Sequence, residues 1–395
     1  MTQNALLNPS LITKETLTIL ENNLVAAGKV NRQFENQFVK IGASLTVRKP
    51  NRFTVTSGPG LSVQSISEPS TSITISNQKH VDFQFTSQDL TLTIEEFSER
   101  YLKPAAAELA NQVDYDTLTN YQSIFNLVGT ANVTPASFLS LANVGQRMDE
   151  GAVPQDGRVL ILGPAAYWSM ANALVGLYVK SVAEPALKGY LANIANFEIY
   201  EDTNIQSQTV GLLGGSGVVN GANQTGSSLI TNGWTGGVTG LFNVGDVITI
   251  AGVNAINPKS RKSTGALQNF VVTASVNSDS GGNATIPIYP AITTTGAYQT
   301  VPASPANLSA ISCLTGASGS VHPQNMAFVR DCIGLVTVPL ELPEGVDFKA
   351  RETWKGISLR IIRAYDINND VFPCRMDILY GTACFYPELG VRLTG

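Results

Sequence analysis

Charge is scarce in this sequence. Lysine, arginine, aspartate and glutamate make up 14% of its 395 residues, against about a quarter in an average soluble protein. A free surface normally carries still more. Either neutral polar groups coat this surface, or partners cover much of it. The net charge of −5 provides no basic excess to attract phosphates, which argues against sequence-specific DNA reading. Cysteine is also rare. Cys313, Cys332, Cys374 and Cys384 form no CxxC pair and no zinc-ligand spacing. Four are too few for a disulfide scaffold, so they read as reduced packing residues. The first fifteen residues hold no basic segment followed by an apolar one, so no signal peptide is expected. No apolar run reaches the roughly 18 residues that a spanning helix needs, and no membrane partner is expected.

What is present is a globular chain. Hydrophobic residues are 43% of the total, too many for disorder, and the length suits two or three domains at roughly 150 residues each. Thr13 is the expected cap of a first helix, with Leu17, Leu20, Leu24 and Ala27 on one stripe and Gly28 as its stop. Over 43–92, alternation in Leu45-Thr46-Val47, Ser72–Ile75 and Val81–Phe85, punctuated by Gly58-Pro59-Gly60, predicts a long two-stranded β excursion with a polar tip. A lone ribbon is marginal in water, so this one needs another surface. Thr93 and Glu96 form a capping box for a helix over about 95–127, in which Pro104 kinks the helix or ends a first segment. Its apolar stripe includes Tyr101, Ala105, Leu109 and Val113.

Thr134-Pro135 starts the next expected helix, which runs to Glu150 and Gly151. A strand at Arg158–Leu162, a helix from Pro164 and a strand at Phe197–Tyr200 follow. Between Ser207 and Thr315 only five charges remain: Asp246, Lys259, Arg261, Lys262 and Asp279. Short β runs at Asp246–Ile250, Phe270–Val276 and Thr285–Ile288 suggest an all-β barrel or sandwich inserted into an α+β chain. Strands at Met326–Leu340 (broken near Cys332-Ile333-Gly334), Ile357–Ala364, Met376–Leu379 and Cys384–Val391 close the chain.

Catalytic patterns are missing. The sequence has two histidines, His80 and His322, both expected on surface or loop positions. No HExxH, phosphate-binding loop or G-x-S-x-G occurs. Gly214-Gly215-Ser216-Gly217 reads as a flexible turn. The acidic pairs Glu95-Glu96, Asp114/Asp116 and Glu201-Asp202 read as solvated faces, and Asp366–Asp370 as a β-turn. Lys259, Arg261 and Lys262 are the candidate site residues. Such a cluster is ordinarily a solvated loop. The functional alternative is contact with an acidic patch of a neighbouring subunit. No catalytic, cofactor or metal residue is expected.

Three stretches carry a resemblance: Leu102–Asn111, Gly245–Val253, and Asn325–Asp331 continuing through Pro339–Pro343, with Ser358–Ile361, Tyr365–Ile367 and Leu379–Gly381 after it. In this order they resemble the major capsid proteins of tailed phages with the HK97 fold, and more narrowly the P22 coat protein family with its insertion domain. The resemblance implies an N-terminal arm over 1–42, an E-loop over 43–92 and a spine helix over 93–127. It implies a peripheral domain from 128–180 and 346–395, an axial domain from 181–206 and 316–345, and an inserted β-barrel over 207–315. It further implies a homo-oligomer of pentamers and hexamers that encloses double-stranded DNA in the virion. Scaffolding and portal proteins are the implied partners, and the host cytoplasm is the implied place of assembly. The founding member crosslinks through an E-loop lysine. Lys49 and Lys79 match that lysine by position, but the P22-like branch does not generally use the bond, so none is expected. An adhesive, carbohydrate-binding tail or fibre protein is the alternative, supported by the Gly/Ser/Thr/Asn-rich region and opposed by the long helix between two β parts.

Overall fold

The computed structural model describes residues 9–33, 44–61, 63–64, 66, 68–86, 101–174, 190–346, 348–354 and 356–394. Among the described residues, four α-helices are α1 (Pro9–Asn23), α2 (Lys103–Leu118), α3 (Phe138–Glu150) and α4 (Pro164–Leu174). The strands of the first half are β1 (Ser44–Arg48), β2 (Ser70–Thr74), β3 (Asn77–Thr86), β4 (Leu127–Gly129), β5 (Arg158–Leu162), β6 (Tyr190–Ile194), β7 (Phe197–Glu201), β8 (Ser207–Thr209), β9 (Gly215–Val219) and β10 (Gly226–Trp234). Those of the second are β11 (Val247–Ile256), β12 (Ser263–Val272), β13 (Ala284–Ile292), β14 (Ile311–Cys313), β15 (Val321–Val329), β16 (Ile333–Thr337), β17 (Phe348–Trp354), β18 (Ile357–Arg363), β19 (Val371–Cys384) and β20 (Gly390–Thr394).

The chain divides into two compact units. Met1–Val47, Ser70–Thr117 and Ile333–Ala383 make one; Arg48–Pro69, Leu118–Cys332 and Cys384–Gly395 make the other. This differs from the expected grouping of 128–180 with 346–395. The reason is strand pairing: β5 pairs with β15 and β7, whereas β18 and β19 pair with each other and with β17 and β3.

In the first unit, β16, β19, β18 and β17 lie in that order, and β3 also pairs with β19. The expected ribbon over 43–92 is therefore shorter. Among the described residues only β1 and β2 form it, while β3 joins the sheet through ten residue pairs from Val371↔Thr86 to Tyr380↔Asn77. Helix α1 packs on β17 and β18. Leu17 and Leu20 are buried as their spacing predicts. Thr13 is not a cap: it sits inside the helix, fully buried, because Pro9 starts the helix four residues earlier. Pro104 is the second residue of α2, directly after a π turn at 101–102. The helix gives way to a 3-10 turn at Thr119–Ser123, and Ile124 is extended, so it ends before the expected 127. Tyr101 is exposed rather than on the buried stripe. The capping box Thr93/Glu96 and the pair Glu95-Glu96 lie outside the described residues.

In the second unit, a seven-stranded mixed sheet runs β4-β20-β15-β5-β7-β6, with β8 attached to β15. Its core joins Leu141, Val144 and Met148 of α3 to Tyr167 and Met170 of α4 and to Phe197. Helix α3 starts at Phe138 under a Ser137 cap, not at Pro135. The segment 385–389 turns through a 3-10 helix before β20, so the strand expected at Cys384–Val391 is interrupted.

Between β8 and β15 lies a six-stranded sheet in the order β14-β11-β12-β13-β10-β9. Its edge strands also meet. Val218 bridges Ala310, the Val219 N–H donates to Ser309 O (2.9 Å), and the Leu308 N–H donates to Val219 O (2.9 Å). Phe242, Ile248, Phe270, Ile286 and Ile288 fill its core. The glycines at 214–217 do not form a flexible turn: β9 begins at Gly215. A Cβ at Gly217 would overlap the Trp234 indole. That indole stacks edge-on to Phe242 at 5.2 Å and donates to Thr231 Oγ1 at 2.7 Å.

Candidate functional site

Residues Lys49–Pro69 leave the β1–β2 ladder and return to it, closed at the base by the Lys49 N–H donating to Pro69 O (2.8 Å). None of the described residues in this span is helix or strand. The Gln64 amide ties its two arms by accepting from Thr54 N (2.7 Å) and donating to Thr54 O. The turn at Ser57-Gly58-Pro59-Gly60 is polar, as expected, but apolar side chains flank it: Phe53, Val55, Leu61, Val63 and Ile66 are exposed, Val55 by 99%. Five bare apolar side chains on one loop mark a contact surface.

The base of the excursion is anchored within its own unit. Arg52 pairs with Glu388 (3.1 Å) and stacks over Tyr298, and Lys49 lies 5.0 Å over the Tyr386 ring. Arg261 Nη2 donates to Phe53 O at 3.2 Å. One of the three predicted basic residues thus holds the excursion of its own chain.

Lys259, Arg261 and Lys262 sit on the β11–β12 hairpin loop. Asn257 Oδ1 accepts from Lys259 N (2.9 Å) and Ser260 N (3.0 Å), and Arg261 adopts a positive φ of 57°. Asn257 Nδ2 donates to Glu150 O, fixing the hairpin against the end of α3. Lys259 and Lys262 are exposed and Arg261 is half-buried.

The other singled-out residues scatter. His80 is on β3, 2.8 Å from Asp82. His322 is not in a surface loop: it is buried in β15, with Nε2 2.7 Å from Ser320 Oγ. Asp114 is not on a solvated face. It is buried and accepts from Val25 N (2.8 Å) and Ala27 N (2.6 Å), fastening the arm after α1 to α2. Asp116 meets Tyr380 Oη (2.6 Å) and Lys79 Nζ (3.4 Å). Burial raises the Asp202 carboxyl above the usual range. Asp366 accepts from Asn368 N and Asn369 Nδ2, forming the expected turn. Among the described residues no group of three His, Cys, Asp or Glu side chains could hold a metal ion. No helix among them is long and apolar enough to cross a membrane.

A polar seam that sequence reasoning missed joins the six-stranded sheet to the rest of its unit. Asp246 accepts from Gln208 Nε2 (2.9 Å), Gly211 N (3.0 Å) and Asn243 N (2.8 Å). Gln208 Oε1 accepts from Tyr121 Oη (2.8 Å). Arg392 Nη2 donates to Gly245 O (2.8 Å), and its guanidinium lies over the Tyr121 ring. Burial raises the Asp246 carboxyl despite its donors, and lowers the Arg392 guanidinium to about 10. One signal was available: Asp246 is an isolated acid heading an apolar strand in a nearly charge-free region, and a charge retained there has a partner.

The model of the P22 coat protein family (gene protein 5) matches residues 1–395. No curated protein matches the chain. Among solved structures, the chain is similar to one from Mycobacterium phage Che8, with 13% identity, 94% of this chain and 90% of that one covered, and a TM-score of 0.49. The asymmetric unit of the mature capsid of bacteriophage PhiM1 gives 10% identity, 94% and 86% coverage, and 0.45. A virus-like particle from Pyrococcus furiosus gives 9%, 97% of each chain, and 0.41.

Proposed function

Because this chain belongs to the P22 coat protein family, we propose that copies of it close into an icosahedral shell of pentamers and hexamers around double-stranded DNA. The chain is a phage major capsid protein. The observation that supports its mode of assembly is the excursion. The apolar side chains flanking its tip are uncovered in the single chain, and their burial on a neighbouring copy is favourable at about 25 cal/mol per Å². No step in this function is catalytic. Many modest contacts per subunit sum to a stable shell, and head-to-tail contacts within a ring close by symmetry.

In an HK97-like reading, the unit holding α2 and β16–β19 corresponds to the peripheral domain. The seven-stranded sheet corresponds to the axial domain, and the six-stranded sheet to an inserted barrel that aids folding. Support for the barrel is the meeting of β9 and β14 and a core of its own. Scaffolding and portal proteins are the partners this function needs, and assembly takes place in the host cytoplasm. The net charge of −5 suits a shell whose lining does not hold the DNA it surrounds.

Negative-stain microscopy of the protein co-expressed with its scaffold tests the proposal. Closed shells of uniform diameter are expected. Only monomers or small oligomers, with scaffold supplied, would overturn it.

A further inference from the structure

Two of the four free thiols are neighbours. Cys332 Sγ and Cys384 Sγ are 4.0 Å apart across 52 residues of sequence, and both are buried. The backbone keeps them together, since the Phe385 and Tyr386 N–H groups both donate to Cys332 O, at 2.8 and 3.2 Å. The space around Cys332 is tight: a Cβ at Gly390 would come within 3.0 Å of its sulfur. Their place in the chain is particular too. Cys332 is the last residue of the second unit before the Ile333–Ala383 segment, and Cys384 is the first after it. Cys313 lies on β14 and Cys374 earlier on β19.

We propose that Cys332 and Cys384 form a redox modification site, which a low-molecular-weight disulfide converts to an intrachain disulfide after the protein leaves the reducing cell interior. The timing rests on the capsid reading; the chemistry does not. Cys384 is the less buried residue of the two, at 9% exposed against 0%, and reacts first. Its thiolate attacks one sulfur of the oxidant, the oxidant's S–S bond breaks, and one thiolate leaves. The Cys332 thiolate then attacks the Cys384 sulfur of the mixed disulfide and expels the second thiolate. Two cysteine thiols are oxidised, one disulfide is reduced to two thiols, and the two cysteine protons end on those products. The sulfurs, now 4.0 Å apart, must close to a bond length of about 2.05 Å.

The thiol–thiol hydrogen bond with Cys384, together with burial, holds Cys332 well above the usual thiol range. Thiolate is therefore scarce at neutral pH, and the reaction is slow and base-promoted. Inside a reducing cytosol the pair stays open, whereas oxidising surroundings let the bond persist. The closed bond makes a covalent loop of the 333–383 segment and restricts the unfolded chain. Expected is a rise in Tm of roughly 5 °C or more.

The test uses the full-length protein, as shells or as free subunits. It is incubated with millimolar glutathione disulfide at pH 8, then denatured, alkylated and peptide-mapped. The expected result is loss of two of the four alkylatable thiols, a single peptide pair joined through Cys332 and Cys384, and a Tm increase reversed by dithiothreitol. Cys332→Ala and Cys384→Ala should each abolish both the linked pair and the increase. Four thiols still alkylated after treatment, with the stronger oxidant diamide as well, would overturn the proposal. So would glutathione retained on Cys384 without closure, or a Tm increase surviving in either variant. Protein lysed directly into alkylating agent should be fully reduced; a bond already closed there overturns the timing. Subunits that close the bond but never form shells would refute the capsid reading and leave the chemistry standing. Shells with four persistent thiols would do the reverse.

Discussion

Arg52 and Glu388, 336 residues apart in sequence, form an ion pair at 3.1 Å that anchors the base of the excursion beside the turn into β20. The same arginine stacks over Tyr298, whose hydroxyl lies 3.4 Å from both the Arg52 backbone nitrogen and Asn51 Oδ1. An excursion held at its base and bare at its tip presents its apolar side chains in a restricted orientation. That lowers the ordering cost when the tip is covered.

Arg52→Ala removes the anchor. Both partners are partly exposed, so stability should change by less than about 1 kcal/mol. Assembly, followed by light scattering, should slow several-fold. Glu388→Gln should give a similar slowing, and the double variant little more, because one interaction is removed twice. Fully additive slowing would show that the two residues act separately.

Val55, Leu61 and Val63 flank the tip with almost no cover. Replacing all three with serine should leave urea denaturation of the free subunit within about 0.5 kcal/mol of the parent while abolishing shell formation. Normal shell yield would mean that the tip stays uncovered in the particle.

The basic hairpin separates two roles. Arg261 touches Phe53 O of its own chain, whereas Lys259 and Lys262 are exposed and form no ion pair among the described residues. If the lysines meet an acidic patch on another copy, Lys259→Gln with Lys262→Gln should lower assembly yield at low salt, with the deficit shrinking as salt screens the parent. Arg261→Gln should instead loosen the excursion, read as faster hydrogen exchange over 50–56. Unchanged yield at every salt concentration would leave the lysines as a solvated loop.

Legibility in the sequence followed the physics of each element. Arg158–Leu162 and Pro164 onward were readable because an apolar run and a helix-starting proline act locally. β9 was not readable, since its glycines are explained only by Trp234, which arrives from the paired strand. Nor was the role of Asp114 readable, because its donors, Val25 and Ala27, are nearly ninety residues away. The excursion and its polar turn are legible in the sequence, whereas the exposure of the flanking Val55, Leu61 and Val63 is not, because alternation does not say which face finds a partner. The polar seam at Asp246 depends on four chain segments meeting, and spacing along the chain does not encode that.

Asp377 is fully buried in β19 and accepts two bonds from Arg360 (2.9 and 2.5 Å), one from Arg375 (3.1 Å) and one from Gln78 (3.2 Å). Asp377→Ala strips the carboxylate from these guanidiniums and should cost roughly 3–5 kcal/mol. Arg360→Ala should cost more than Arg375→Ala, because Arg360 binds bidentately and is 15% exposed against 40%. Urea denaturation of the three variants measures the ranking, and equal costs would contradict it.

Asp246 predicts a pH dependence whose sign is fixed by its raised carboxyl. Burial is the largest cause; the Asn243, Gly211 and Gln208 bonds and Arg392 oppose it without cancelling it. The folded chain therefore binds more protons than the unfolded chain between the ordinary value of 3.8 and the raised one. Stability from this group is highest below that window and falls as pH rises through it. Asp246→Asn removes the titration and, with its oxygen kept on the Gly211 and Asn243 N–H groups, turns its amide N–H toward the Gln208 amide N–H, at a cost of roughly 1–3 kcal/mol. The stability gap between parent and variant should be widest near the acid end of the window and narrow as pH rises, because only the parent pays for ionising a buried carboxyl. Paired urea titrations of the two proteins across the window measure it, and a gap that widens with pH would show that the ionised carboxylate is the form the fold prefers.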